Sequence, residues 1–93
     1  MAHYIFLRGL LRAGEIVELD RQPSFELIPK PNRIVYKPDF RILWKNGREE
    51  FWDVKGARTP AFNLKEKMFR HFNPDKTLVV GYNLIAVVQS RHL

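Results

Sequence analysis

The spacing of apolar residues changes several times along the chain, and each change marks an element. Tyr4, Leu7 and Leu11 recur at helical spacing, with Arg8 and Arg12 one position on and Gly14 where a left-handed cap ends a helix. A first helix running to Ala13 is expected. Residues 16–28 are extended in pattern but interrupted by Pro23, which predicts two strand pieces meeting at the sequence RQPSF, then a connector at Pro29 and Pro31. Residues 34–44 predict one long strand, with Phe40, Ile42 and Trp44 on one face and Asp39, Arg41 and Leu43 on the other. Asn46-Gly47 signals a turn, and residues 48–55 alternate so that Phe51, Asp53 and Lys55 share a face opposite Trp52 and Val54. Thr59 and Pro60 supply a hydroxyl N-cap and a first-turn proline for a second helix, ended by Pro74. Its expected buried stripe is Ala61, Leu64, Met68 and Phe72, with Asn63, Lys67 and Arg70 on another face. Residues 77–80 and 84–88 predict β structure, either two strands across Gly81-Tyr82-Asn83 or one bent strand.

The resulting order, helix, three strands, helix, strand, is that of an α+β domain in which a mixed sheet is flanked by helices. With 93 residues and no repeat, linker or low-complexity segment, residues 1–93 form a single domain. A chain of this size removes only about 60–65% of its unfolded surface from water. Seven Phe, three Tyr and two Trp compensate with large apolar area per residue, and a dimer interface would add more.

The formal charge of +6 favours polyanionic partners, nucleic acid first among them, through counterion release and steering. A basic surface without such a partner has the same composition, so arrangement must decide. Absence of cysteine excludes disulfides and thiolate metal sites, and permits a reducing compartment such as the cytoplasm. No apolar run approaches the ~18 residues that span a bilayer. The short apolar stretch at the N-terminus is interrupted by arginines and has no small-residue cleavage site after it.

The chemistry concentrates in two short segments, Pro38-Asp39 and Asp53-Val54-Lys55, on strands that the Asn46-Gly47 turn makes neighbours. Two carboxylates and an amine on adjacent strands suit a hard divalent cation and a water readied for phosphodiester attack. Register is the difficulty. With a plain two-residue loop, Lys45 pairs with Arg48 and Asp39 falls opposite Val54, pointing away from Asp53. A shared site requires an odd-length loop or a β-bulge that shifts pairing by one residue, with Pro38, which has no ladder donor, as the kink.

The segments YKPDF, WDVKG and TPAFNLKEKMF resemble the PD-(D/E)XK nuclease superfamily, in particular small phage-type nucleases related to Holliday junction resolvases, over about residues 14–74. The resemblance implies a restriction-endonuclease-like core of order αβββαβ. It makes Asp39, Asp53 and Lys55 the catalytic residues, with Asp39, Asp53 and the Val54 carbonyl as ligands for Mg²⁺ or Mn²⁺. Lys55 would hold or deprotonate the attacking water, or stabilise charge on the phosphate; otherwise it is a surface salt-bridge partner of Asp53 or Glu50. Gln22, in a QP pair like the family's, is either an accessory amide or a turn residue.

Members often carry a further glutamate on the first helix, which would fall at or just before Met1 and is absent here. Loss of the helix start, a site working with three protein groups, and a site that binds without cutting are the alternatives. Glu15 and Glu18 are read as ordinary solvated charges, and His3, His71 and His92 as surface residues. Arg58, Thr59, Lys65, Lys67 and Arg70 form a basic group on the second helix and the turn before it, either a phosphate-backbone grip or a charged outer face. The implied activity is a Mg²⁺-dependent endodeoxyribonuclease selective for branched DNA, a homodimer acting in the cytoplasm, that of the host if phage-encoded. A non-catalytic nucleic-acid-binding module and a transposition-type nuclease subunit are the alternatives.

Overall fold

The computed structural model describes residues 2–91, and its N-terminal helix α1 (Ala2–Arg12) turns at Gly14, whose φ of 80° satisfies a left-handed cap. The Glu15 N–H bonds the Leu10 carbonyl and closes the helix end. Strands β1 (Ile16–Arg21), β2 (Phe25–Ile28), β3 (Ile34–Tyr36), β4 (Phe40–Trp44) and β5 (Glu49–Val54) follow, then α2 (Pro60–Phe72), β6 (Leu78–Gly81) and α3 (Leu84–Arg91). The molecule is an α+β fold with a four-stranded sheet in the order β1-β4-β5-β6, antiparallel except for the parallel β5–β6 pair, and a separate β2–β3 ribbon.

The sheet separates two cores. On one face Phe40, Ile42 and Trp52 pack with Leu7 of α1 and Leu84 and Val88 of α3; on the other Phe51 and Leu78 pack with Tyr36, Leu27, Phe62 and Phe69. The alternation expected for residues 40–44 and 48–55 is therefore realised on both faces. Arg41 of β4 bonds Glu18 and Asp20 of β1 at 2.9 Å each and Glu49 of β5 at 2.7 Å, which ties the three neighbouring strands together.

Three expectations need correction, and one is met. The long strand is two: Lys37, Pro38 and Asp39 break it, because Pro38 cannot donate to a ladder, and β3 leaves to pair with β2. The hairpin loop has three residues, the odd length that a shared site requires. Trp44 N–H bonds the Arg48 carbonyl, Gly47 N–H bonds the Trp44 carbonyl, and Gly47 has φ of 88°, the type I turn with a left-handed third residue. The buried stripe of α2 is Phe62 and Phe69, while Leu64 and Phe72 are each more than half exposed. Two interleaved apolar stripes occur in this helix, and the one carrying both aromatic rings is buried against Phe25, Tyr36 and Phe51. Finally, residues 84–88 are helical. Asn83 Oδ1 accepts the Ala86 N–H as an N-cap, and Leu84 and Val88, one turn apart, both face the core.

Candidate active site

Register decides whether the two acidic motifs meet. The three-residue loop sets Phe40 opposite Trp52 and Arg41 opposite Phe51, so the next residues outward, Asp39 and Asp53, oppose each other on the same face. The one-residue shift required by a shared site is present, and Gly47 produces it.

The next hydrogen-bonded pair in that ladder would join residue 38 to residue 54. Pro38 has no N–H to give, which leaves the Val54 carbonyl without a β4 donor. The Val54 N–H is taken instead by Asp39 Oδ2 at 2.8 Å. On the other side the Asp39 carbonyl accepts the Gln22 N–H at 2.9 Å, holding Asp39 between β1 and β5. Pro38 thus ends the ladder beside the Asp39 carboxylate and the Val54 carbonyl.

Asp53 is 1% exposed. The Tyr36 hydroxyl donates a very short hydrogen bond to its Oδ2, and Lys55 Nζ lies 3.5 Å from its Oδ1. Burial raises the Asp53 pKa above the ordinary value; the Tyr36 bond and the Lys55 charge pull it down, while the charge of Asp39 and a direct carboxyl–carboxyl hydrogen bond push it up. The net shift is upward. Tyr36 is itself buried, and burial together with its acidic neighbour lifts its pKa far above the tyrosine range, so it remains a proton donor.

Two carboxyl groups in contact need a shared proton or a cation between them. Two carboxylates with a free main-chain carbonyl make an all-oxygen donor set, which fits a hard ion such as Mg²⁺ or Mn²⁺. Among the described residues, no group of three or more His, Cys, Asp or Glu converges as a cage. Lys55 lies 4.9 Å from the Phe62 ring centroid, a cation–π contact that leaves its ammonium at the mouth of the site.

A cleft of about 220 Å³ opens on the α1 side of Asp39, lined by His3, Tyr4, Arg21, Gln22, Asp39, Phe40 and Val54. A larger one, about 420 Å³, lies on the other side between β3 and the start of α2, where Lys37, Lys55 and Lys65 converge with Tyr36 and Thr59. The expected basic group is divided. Lys65 and Thr59 line this cleft, with Thr59 Oγ1 capping α2 by accepting the Phe62 N–H at 3.1 Å. Arg58 and Arg70 both grip Glu66, and Lys67, two residues from Lys65 and so on the opposite side of the helix, is exposed away from the cleft. Gln22, with φ of 50°, lines the α1-side cleft. Glu15 and Glu18 are in surface salt bridges with Lys45 and Arg41, as expected.

His3 corrects the sequence reading. It is half-buried, lines the α1-side cleft, and its Nε2 accepts the Leu84 N–H at 3.1 Å, joining the starts of α1 and α3. Met1 and His92 lie outside the described residues. Tyr36 and Lys37 also stand at this site. Their only sequence signal is adjacency to Pro38-Asp39, and nothing local shows that β3 folds back over Asp53.

A family model described as Protein of unknown function (DUF1064) matches residues 1–82, and the chain belongs to that family. No curated protein and no solved structure matches it.

Proposed function

We propose that this member of the DUF1064 family is a metal-dependent endodeoxyribonuclease with a PD-(D/E)XK-type core. The observation that supports it most is the opposition of Asp39 and Asp53 at the carboxyl end of β5, with Lys55 Nζ 3.5 Å from Asp53 Oδ1.

A Mg²⁺ or Mn²⁺ ion held by Asp39, Asp53 and the Val54 carbonyl would supply Lewis acidity for phosphodiester hydrolysis. The chain's own groups do the positioning. Tyr36 fixes one oxygen of Asp53 and leaves the other toward Lys55. The Val54 N–H fixes Asp39. Lys55 orients the attacking water or meets the charge that develops on the phosphate. Lys37 and Lys65, beside the capped start of α2, hold the substrate backbone. Branched DNA is the proposed substrate. Resolving a four-way junction needs two such sites, hence a homodimer.

The test is cleavage of linear, nicked and four-way DNA by the full chain with Mg²⁺, beside Asp39→Asn. The proposal expects the variant to lose cleavage and Mn²⁺ binding while keeping DNA binding. Equal Mn²⁺ uptake by both proteins, with no substrate cut, leaves a nucleic-acid-binding module in its place.

A further inference from the structure

The α1-side cleft contains donors that the hydrolytic site does not use. His3 Nε2 accepts the Leu84 N–H, so the neutral ring must carry its proton on Nδ1. The imidazole therefore offers the cleft a hydrogen-bond donor and has no lone pair left for a metal. Arg21 is held over the Tyr4 ring, 4.6 Å from its centroid, and no ion pair among the described residues involves it. The cleft thus sets a guanidinium, an imidazole N–H and the Gln22 amide around a wall that carries Asp39. A donor-rich cleft beside one carboxylate suits a phosphate oxygen group whose neighbour lies at that carboxylate.

The geometry points to a second phosphate subsite here, in which Arg21 and His3 grip the phosphodiester next to the one at Asp39 and Asp53. A single nucleic-acid strand then crosses the end of the sheet from the lysine cleft to the arginine cleft, passing over the paired carboxylates. The inference rests on the nuclease reading only for what lies at the centre of that path.

The test uses equilibrium binding of a fluorescent single-stranded oligonucleotide to the full chain in EDTA, titrated over a range of salt. Each phosphate contact made by a cation contributes about 0.7 to the slope of log K against log salt. Arg21→Ala should weaken binding several-fold and reduce the slope by about 0.7. Arg12→Ala, at the far end of α1, should leave the slope unchanged. His3 is neutral, so His3→Ala should weaken binding at unaltered slope. His3→Gln should restore affinity, because its amide both accepts from Leu84 and donates to the cleft. Thermal melting confirms folding, and Arg21→Ala with His3→Gln carries the test if His3→Ala melts early. An Arg21→Ala slope equal to that of Arg12→Ala overturns the subsite, whether or not the protein cuts DNA. Wild-type protein that never cleaves but shows the Arg21 slope change keeps the subsite and loses the nuclease reading.

Discussion

A carboxyl group that is 1% exposed beside a second carboxyl group is held against its own solvation, and at Asp53 burial is the first cause of an upward pKa shift. Its pKa in the fold is raised from an ordinary value of 3.8. Between the ordinary and raised values the folded chain holds a proton that the unfolded chain has released, so stability falls as pH rises through that window and stays lower above it. Asp53→Asn keeps an acceptor for Tyr36 and removes the charge. In EDTA it should therefore melt higher than wild type at neutral pH, by several degrees, since about 1 kcal/mol moves a domain of this size by roughly 4–8 °C. The gap should close as pH falls below the carboxylate range. Melting curves across pH check this, and a variant no more stable than wild type at neutral pH contradicts it. Tyr36→Phe acts oppositely: it strips a donor from a buried carboxylate and should cost about 1–3 kcal/mol.

At the scale of elements, α3 is joined to the sheet by a charge buried in the core. Glu50 is fully buried, and its Oε1 accepts from the Trp44 indole at 2.9 Å and from the Trp52 indole and Arg91 at 3.2 Å each. Oε2 sits 3.1 Å from Arg91 and 3.4 Å from Arg48 but receives no directed hydrogen bond. Burial pushes the Glu50 pKa up, but the bonds from Arg91, Trp44 and Trp52 outweigh it and the net shift is down. Its contribution is present above the ordinary glutamate value and lost as pH falls through the lowered one. Glu50→Ala leaves the indole donors of buried Trp52 and half-buried Trp44 unpaired and should cost about 3–5 kcal/mol, whereas Arg91→Ala, which leaves the buried carboxylate its two indole bonds and Arg48, should cost less, about 1–3 kcal/mol. Denaturant melts of the two variants decide; equal losses would mean that the indole bonds contribute nothing. Alternation alone placed the strand faces correctly, since period two needs no tertiary information. Helix α3 departs from the strand pattern because Ile85, Val87 and Val88 favour strands locally, while Asn83 as a cap and the packing of Leu84 against α1 favour the helix. The meeting of Asp39 and Asp53 could be stated in the sequence only as a condition. One residue of loop length separates a shared site from none, and Asn46-Gly47 suits either loop.

On the scale of the whole molecule, every helix among the described residues begins at the same end of the sheet. His3 and Tyr4 of α1 reach the Asp39 cleft, Thr59 and Phe62 at the start of α2 reach the Lys55 cleft, and the first N–H of α3 is bonded to His3. The parallel strands β5 and β6 finish at that end, the side on which open sheets with parallel strands take their ligands. Three helix N-termini add positive potential there, while much of the acidic charge is tied to Arg41, Glu50's arginines and the Glu66 clamp. Placement of the cations, rather than their number, should therefore govern nucleic-acid binding. Lys37→Glu with Lys65→Glu reverses two charges at the site end; Arg12→Glu with Lys76→Glu reverses two at the opposite end and lowers the net charge equally. If focusing controls affinity, the first pair should abolish oligonucleotide binding at moderate salt, and the second should weaken it only several-fold. Equal losses from the two pairs would mean that nucleic acid responds to the bulk charge of +6 alone, and the convergence of helix starts and lysines on Asp39 and Asp53 would then have no part in holding a substrate.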